Sequence, residues 1–133
     1  MRYDCSMALR IASATERDLS LILSFIKKLA EYEKLSHVVV ATEDLLRDAL
    51  FGPRPVAEVI IAYWDDEPVG FALFFHNFST FLGRRGIYLE DLFVDPPHRG
   101  KGIGSHLLER LLQTVHATSL SCDPANPARI LSW

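Results

Sequence analysis

The sequence predicts a mixed α/β (α+β) fold in which a mostly antiparallel sheet is flanked by helices. Three observations carry that expectation. Two amphipathic helical segments come first, and two β-rich runs follow, joined by too few residues for anything but an antiparallel pair. A third strong strand then runs through a glycine-rich turn into another helix.

Taken in order, residues 7–11 are a short apolar stretch. Thr15 stands three residues before Asp18, the spacing of a capping box with Asp in the Glu position, so a helix is expected to start there. Leu19, Ile22, Leu23, Ile26, Leu29 and Ala30 recur at helical spacing, with Ser20, Ser24, Lys27, Lys28 and Glu31 on the other side, and this amphipathic helix ends near Glu33 or Lys34. Thr42 followed by Glu43 and Asp44 is an N-cap with acids where the helix dipole favours them, and it opens a shorter helix to Phe51. Gly52, Pro53 and Pro55 end it. Val59, Ile60, Ile61, Tyr63 and Trp64 predict a strand, residues 65–68 a polar turn, and residues 69–75 a second strand antiparallel to the first. Residues 77–86, with two glycines and small polar side chains, read as a loop or a wide hairpin. Residues 87–94 are a third strand, stopped by Asp95, Pro96 and Pro97. Residues 104–115 return to helical spacing, with Leu107, Leu108, Leu111 and Val115 on one face. From residue 116 to the end neither periodicity is present.

At 133 residues, 49% hydrophobic and 23% charged, the composition is that of one globular domain. Fourteen Lys and Arg against 17 Asp and Glu give a net charge of -3, which argues against a nucleic-acid binder and suits a cationic substrate better. No apolar run approaches the roughly 20 residues of a membrane-spanning helix, so no membrane partner is expected. Two cysteines, Cys5 and Cys122, make neither a disulfide framework nor a metal cluster, so the expected compartment is the reducing cytoplasm and no metal is expected.

The chemistry concentrates between Tyr88 and Ser105. After the third strand come Arg99, Gly100, Lys101, Gly102, Ile103, Gly104 and Ser105, with glycines at alternate positions just before a helix. Such a turn exposes successive backbone N–H groups where the helix dipole favours an anion, and Arg99 and Lys101 add mobile positive charge at its rim. The spacing fits neither a P-loop nor a dinucleotide fingerprint, which would need glycine at Ser105 or at Leu107. A plain strand-to-helix turn remains the alternative.

The run Arg99-x-x-Gly102-x-Gly104, after a strand ending in Val94-Asp95-Pro96, resembles the acyl-CoA-binding motif of the GNAT superfamily of N-acetyltransferases. The resemblance covers roughly residues 7–112. The segments Leu29-Ala30-Glu31-Tyr32-Glu33, Thr42-Glu43-Asp44-Leu45-Leu46 and Tyr88-Leu89-Glu90-Asp91-Leu92-Phe93-Val94 resemble its spermidine/spermine and thialysine acetyltransferase branch. The resemblance implies an acetyl-CoA-dependent transfer of an acetyl group to a primary amine of a small molecule, a polyamine or a lysine-like amino acid, by direct attack. It also implies a homodimer. The glycine loop, residues 99–105, would hold the diphosphate of CoA, the backbone of Leu92, Phe93 and Val94 would pair with pantetheine, and N–H groups near Phe93 and Val94 would polarise the thioester carbonyl.

Alkyl amines have a pKa near 10.4, so the nucleophile must lose a proton, and a carboxylate takes it directly or through water. By the resemblance Glu90 is that base. Side chains alternate across a strand, so of Glu90 and Asp91 at least one must lie inside or at a bulge; the bland alternative is the polar face of an edge strand. Tyr32, Glu33, Phe81 and Asp91 are the implied amine contacts, with Glu33 as a solvated acid at a helix end the alternative. The tyrosine with which the family usually protonates the thiolate has no counterpart, because Tyr3, Tyr32, Tyr63 and Tyr88 all precede the glycine loop.

The domain is accordingly expected at residues 7–115, with residues 1–6 an extension and 116–133 an atypical tail. In that tail the strand that should pair with residues 87–94, the following helix and the closing hairpin are expected to be missing or replaced, as a shifted reading frame would produce. A catalytically impaired CoA-binding or dimerising remnant is the alternative function.

Overall fold

A computed structural model of the protein describes residues 8–115 and 120–122. Strands β1 (Leu9–Ser13), β2 (Glu58–Trp64), β3 (Glu67–Ser79), β4 (Arg84–Val94) and β5 (Leu120–Cys122) form one sheet in the order β1-β2-β3-β4-β5. The first four are antiparallel neighbours, and β5 runs parallel to β4. Helices α1 (Leu19–Tyr32) and α2 (Glu43–Phe51) precede β2, and α3 (Ile103–Val115) connects β4 to β5.

Each face of the sheet carries its own core. Ile60, Ala62, Ala72, Phe74, Ile87 and Leu89 pack with Ile103, Leu107 and Leu111 of α3. On the opposite face Val59, Ile61, Phe71 and Phe93 pack with Ile22, Phe25 and Leu29 of α1 and Leu50 of α2. The rings of Phe25 and Phe71 stack with centroids 5.3 Å apart, joining helix to sheet.

Local chemistry fixes the helix ends as the sequence leads one to expect. The backbone N–H of Thr15 donates to Asp18 Oδ2 at 2.8 Å, a short 3-10 turn (Glu16–Asp18) follows, and α1 begins at Leu19. The N–H of Leu45 donates to Thr42 Oγ1 at 3.2 Å and caps α2. At the end of α1, Leu35 N–H reaches Ala30 O and Lys34 N–H reaches Glu31 O, a Schellman pair. Lys34 takes the left-handed conformation there (φ 61°) where glycine is usual.

Three expectations need correction, and an alternative left open is decided. The apolar stretch after residue 7 is strand β1, with Leu9 and Ile11 packed on the α3 side. The turn between β2 and β3 is shorter than residues 65–68: Asp65 and Asp66, both left-handed, close it alone. Residues 77–86 take the hairpin of the two forms expected, with β3 and β4 paired out to Ser79 and Arg84. The tail is not without a strand, since Leu120, Ser121 and Cys122 pair with Ile87, Tyr88 and Leu89. Residues 1–7, the rest of the tail and the side chains of Thr114 and Val115 lie outside the described residues.

Candidate active site

The acids of β4 owe their position to an extra residue. Leu73 pairs with Asp91 and Phe74 with Leu89, so Glu90 is a bulge with no counterpart on β3. Core packing registers the same count: Leu89 and Leu92, three apart, both lie in the α3-side core. Simple alternation would have sent Glu90 and Asp91 to opposite faces. Instead both line one small cavity of about 130 Å³, walled by Ile26, Leu29, Leu35 and Val39 and closed by Glu33, the C-cap of α1. Glu33, Glu90 and Asp91 thus line one pocket, and Oε2 of Glu33 is shielded from solvent.

The other substrate candidates lie elsewhere. Tyr32 lines a neighbouring cleft of about 330 Å³ with Lys28, Glu31, Phe93, Asp95 and Arg99. Phe81 stands 99% exposed at the tip of the β3–β4 hairpin. Six residues of extended strand separate Arg84 from Glu90, about 20 Å, so the chain does not bring its own Phe81 to its own acids.

After β4 a 3-10 turn (Pro96–His98) leads into the glycine loop. Gly100 (φ 85°) and Gly102 (φ 81°) are both left-handed, which other residues adopt only with strain. The N–H groups of the first turn of α3, which this loop leads into, have no intrahelical acceptor. His106, which the sequence did not single out, sends its backbone N–H (3.1 Å) and Nδ1 (2.7 Å) to the carbonyl of Gly102, so that Nδ1 carries the proton. Ile103 and Gly104 are buried, as are Leu92, Phe93 and Val94, whereas Ser105 and Lys101 are exposed.

Arg99 is not a mobile charge at the rim. Its Nε donates to Val94 O at 2.7 Å, and its guanidinium lies 4.7 Å from the Tyr32 ring and 5.4 Å from the Phe93 ring. Its Nη2 is buried with no hydrogen-bond partner among the described residues. Lys28, whose Nζ is 3.4 Å from Asp95 Oδ1, completes the cleft wall. Lys28 precedes Tyr32 by one helical turn, a spacing that could have marked it; the link from residue 99 to residue 32 has no local signature.

The described residues hold no cluster of three or more His, Cys, Asp or Glu placed to bind a metal. The model for the acetyltransferase (GNAT) family matches residues 25–130. The chain belongs to the GNAT family. The match passes well beyond Leu112, where the sequence resemblance was expected to fade. Thialysine N-epsilon-acetyltransferase of Mus musculus is 38% identical over 132 residues, covering 93% of this chain and 75% of the relative. Spermidine/spermine N(1)-acetyltransferase-like protein 1 of Homo sapiens is 34% identical over 130 residues, 92% of this chain and 18% of that protein. A crystal structure of an aminoglycoside acetyltransferase from an uncultured soil metagenomic sample, in complex with sisomicin, shares the fold at a TM-score of 0.75 and 18% identity, over 92% of this chain and 83% of that one.

As a GNAT member the protein is an N-acetyltransferase, and the family's cosubstrate is acetyl-CoA. The glycine loop leaves room for the phosphates of such a donor. A Cβ built on Gly100 meets nothing within 4 Å, and one on Gly102 meets only the His106 ring, so the loop's outer face is open.

Proposed function

We propose that the protein transfers the acetyl group of acetyl-CoA to a primary amine of a small polyamine or lysine-like amino acid, by direct attack, with Glu90 as general base. The observation that carries this is the bulge, which gathers Glu90, Asp91 and Glu33 in one pocket on the strand that leads into the glycine loop. The names of the relatives, thialysine and spermidine/spermine acetyltransferases, support the substrate class.

Glu33 and Asp91 attract the ammonium form of the substrate. Glu90 takes one proton, directly or through water, and the freed lone pair attacks the thioester carbonyl. Backbone N–H groups near Phe93 and Val94 receive the negative charge that develops on the carbonyl oxygen. The C–S bond breaks, and the second amine proton passes to the departing thiolate. Residues 99–105 hold the donor's diphosphate through backbone N–H groups and Lys101. Tyr32 borders the amine site from the neighbouring cleft. The functional domain expected at residues 7–115 extends further, since β5 belongs to its sheet and the family match reaches residue 130.

Phe81 can contact the amine only across two copies of the chain, so its role goes with a homodimer. Cytoplasmic location is supported by the cysteine usage. No helix of the described residues is long and apolar enough to cross a membrane.

A thiol-release assay with acetyl-CoA and a panel of diamines, spermidine, lysine and thialysine tests the proposal. Turnover is expected, and Glu90→Gln should lower kcat by about 10²- to 10⁴-fold, the range of general-base contributions. A second reading, a CoA-binding remnant, is favoured by the lack of any tyrosine after Tyr88. Binding of CoA without turnover would establish it, and absence of both would remove either reading.

A further inference from the structure

We infer that Trp64, at the end of β2, is a positioning residue for the acyl donor that acts through Lys101. This rests on the proposal that the glycine loop binds the donor's diphosphate.

The sequence offers that loop two cations, Arg99 and Lys101. The structure turns Arg99 back under the loop, where it is committed to Val94 O and to the faces of Tyr32 and Phe93. Lys101 is left as the loop's outward cation. It is not free to roam, because its Nζ lies 4.5 Å from the centroid of the Trp64 ring. The indole itself is half-buried and packed against the α3-side core, so its plane is fixed by the sheet.

A lysine carries about 2 kcal/mol of rotamer entropy that a phosphate contact must otherwise overcome. Held over an indole, the ammonium has lost part of that freedom before the ligand arrives, and it keeps its charge and its three donors for the ligand. The two glycines flanking Lys101 give the backbone the turn that points its side chain at β2. Trp64 therefore decides where the loop's positive charge sits. The preference it creates is for a donor that carries phosphates, not for the pantetheine arm.

Two donors separate this role from a structural one: acetyl-CoA, and S-acetyl-pantetheine, which lacks the phosphates. In Trp64→Leu the KM for acetyl-CoA should rise about two- to fivefold, the range of an exposed cation–π contact, with kcat and the KM for S-acetyl-pantetheine unchanged. Trp64→Phe, which keeps an aromatic face, should recover part of the loss. Lys101→Met should raise the KM for acetyl-CoA at least as much, and Trp64→Leu added to it should change nothing further. A Trp64→Leu that affects both donors equally, or adds fully to Lys101→Met, would overturn the inference. If Trp64→Leu does not fold, Trp64→Phe with and without Lys101→Met still decides, through the same two donors. Failure of wild-type protein to bind acetyl-CoA at all would instead defeat the reading of the loop.

Discussion

Two glycines separate conformational need from spatial need. Gly102 has φ 81°, yet a methyl group there would come no nearer than 3.8 Å to His106. Gly102→Ala therefore isolates backbone strain and should cost about 1–2 kcal/mol in thermal unfolding. A methyl on Gly70 would lie 2.6 Å from the Phe93 carbonyl, so Gly70→Ala forces β3 away from β4. It should destabilise at least as much as Gly102→Ala, although Gly70 is not among the left-handed glycines. The alternate glycines of the loop were legible because their spacing is a local pattern. The direction of Arg99 was not, because Tyr32 and Phe93 hold its guanidinium and only the fold brings Tyr32 near. The same holds for Lys101 and Trp64, which lie on different elements and meet only through the sheet.

Helices were more legible than strands, and burial explains why. The caps at Thr15 and Thr42 and the apolar stripe of α1 are short-range signals that survive in the structure. Thr42→Ala should cost about 1 kcal/mol in a denaturation midpoint, the usual loss of such a cap. Lys34→Gly should raise stability by about 0.5–1 kcal/mol, since the Schellman position asks for a left-handed residue. The hairpin arms beyond residue 75 were harder to read. His76, Asn77, Phe78, Arg84 and Arg85 are all exposed, so no buried face imposes alternation on their sequence. Strand β1 is five residues long with none fully buried, and β5 has three, all exposed, so neither leaves a periodic trace.

The molecule as a whole is a sheet clamped between two separate cores, and ligand binding should be felt by both. If acetyl-CoA binds as proposed, CoA at 100 times its dissociation constant should stabilise the fold by about 2.7 kcal/mol, read as a rise in Tm. An unchanged Tm would count against the loop as its site. Phe71 is fully buried and stacks on Phe25, so Phe71→Ala should cost about 3–5 kcal/mol, with loss of cooperative melting as the sign of a broken α1-side core. The acid pocket was half legible: the sequence demanded that Glu90 or Asp91 be inside or at a bulge, but only the pairing of β3 with β4 says that Glu90 is the extra residue. One consequence concerns chimeras. Because β4 is one residue longer than its partner between Leu73 and Phe74, the acids are placed by a count across two strands. A crossover that transplants the β3–β4 hairpin as a unit carries the count with it. A junction cut between Leu89 and Asp91 that inserts one residue would move the acids off the pocket while leaving every native side chain in the sequence.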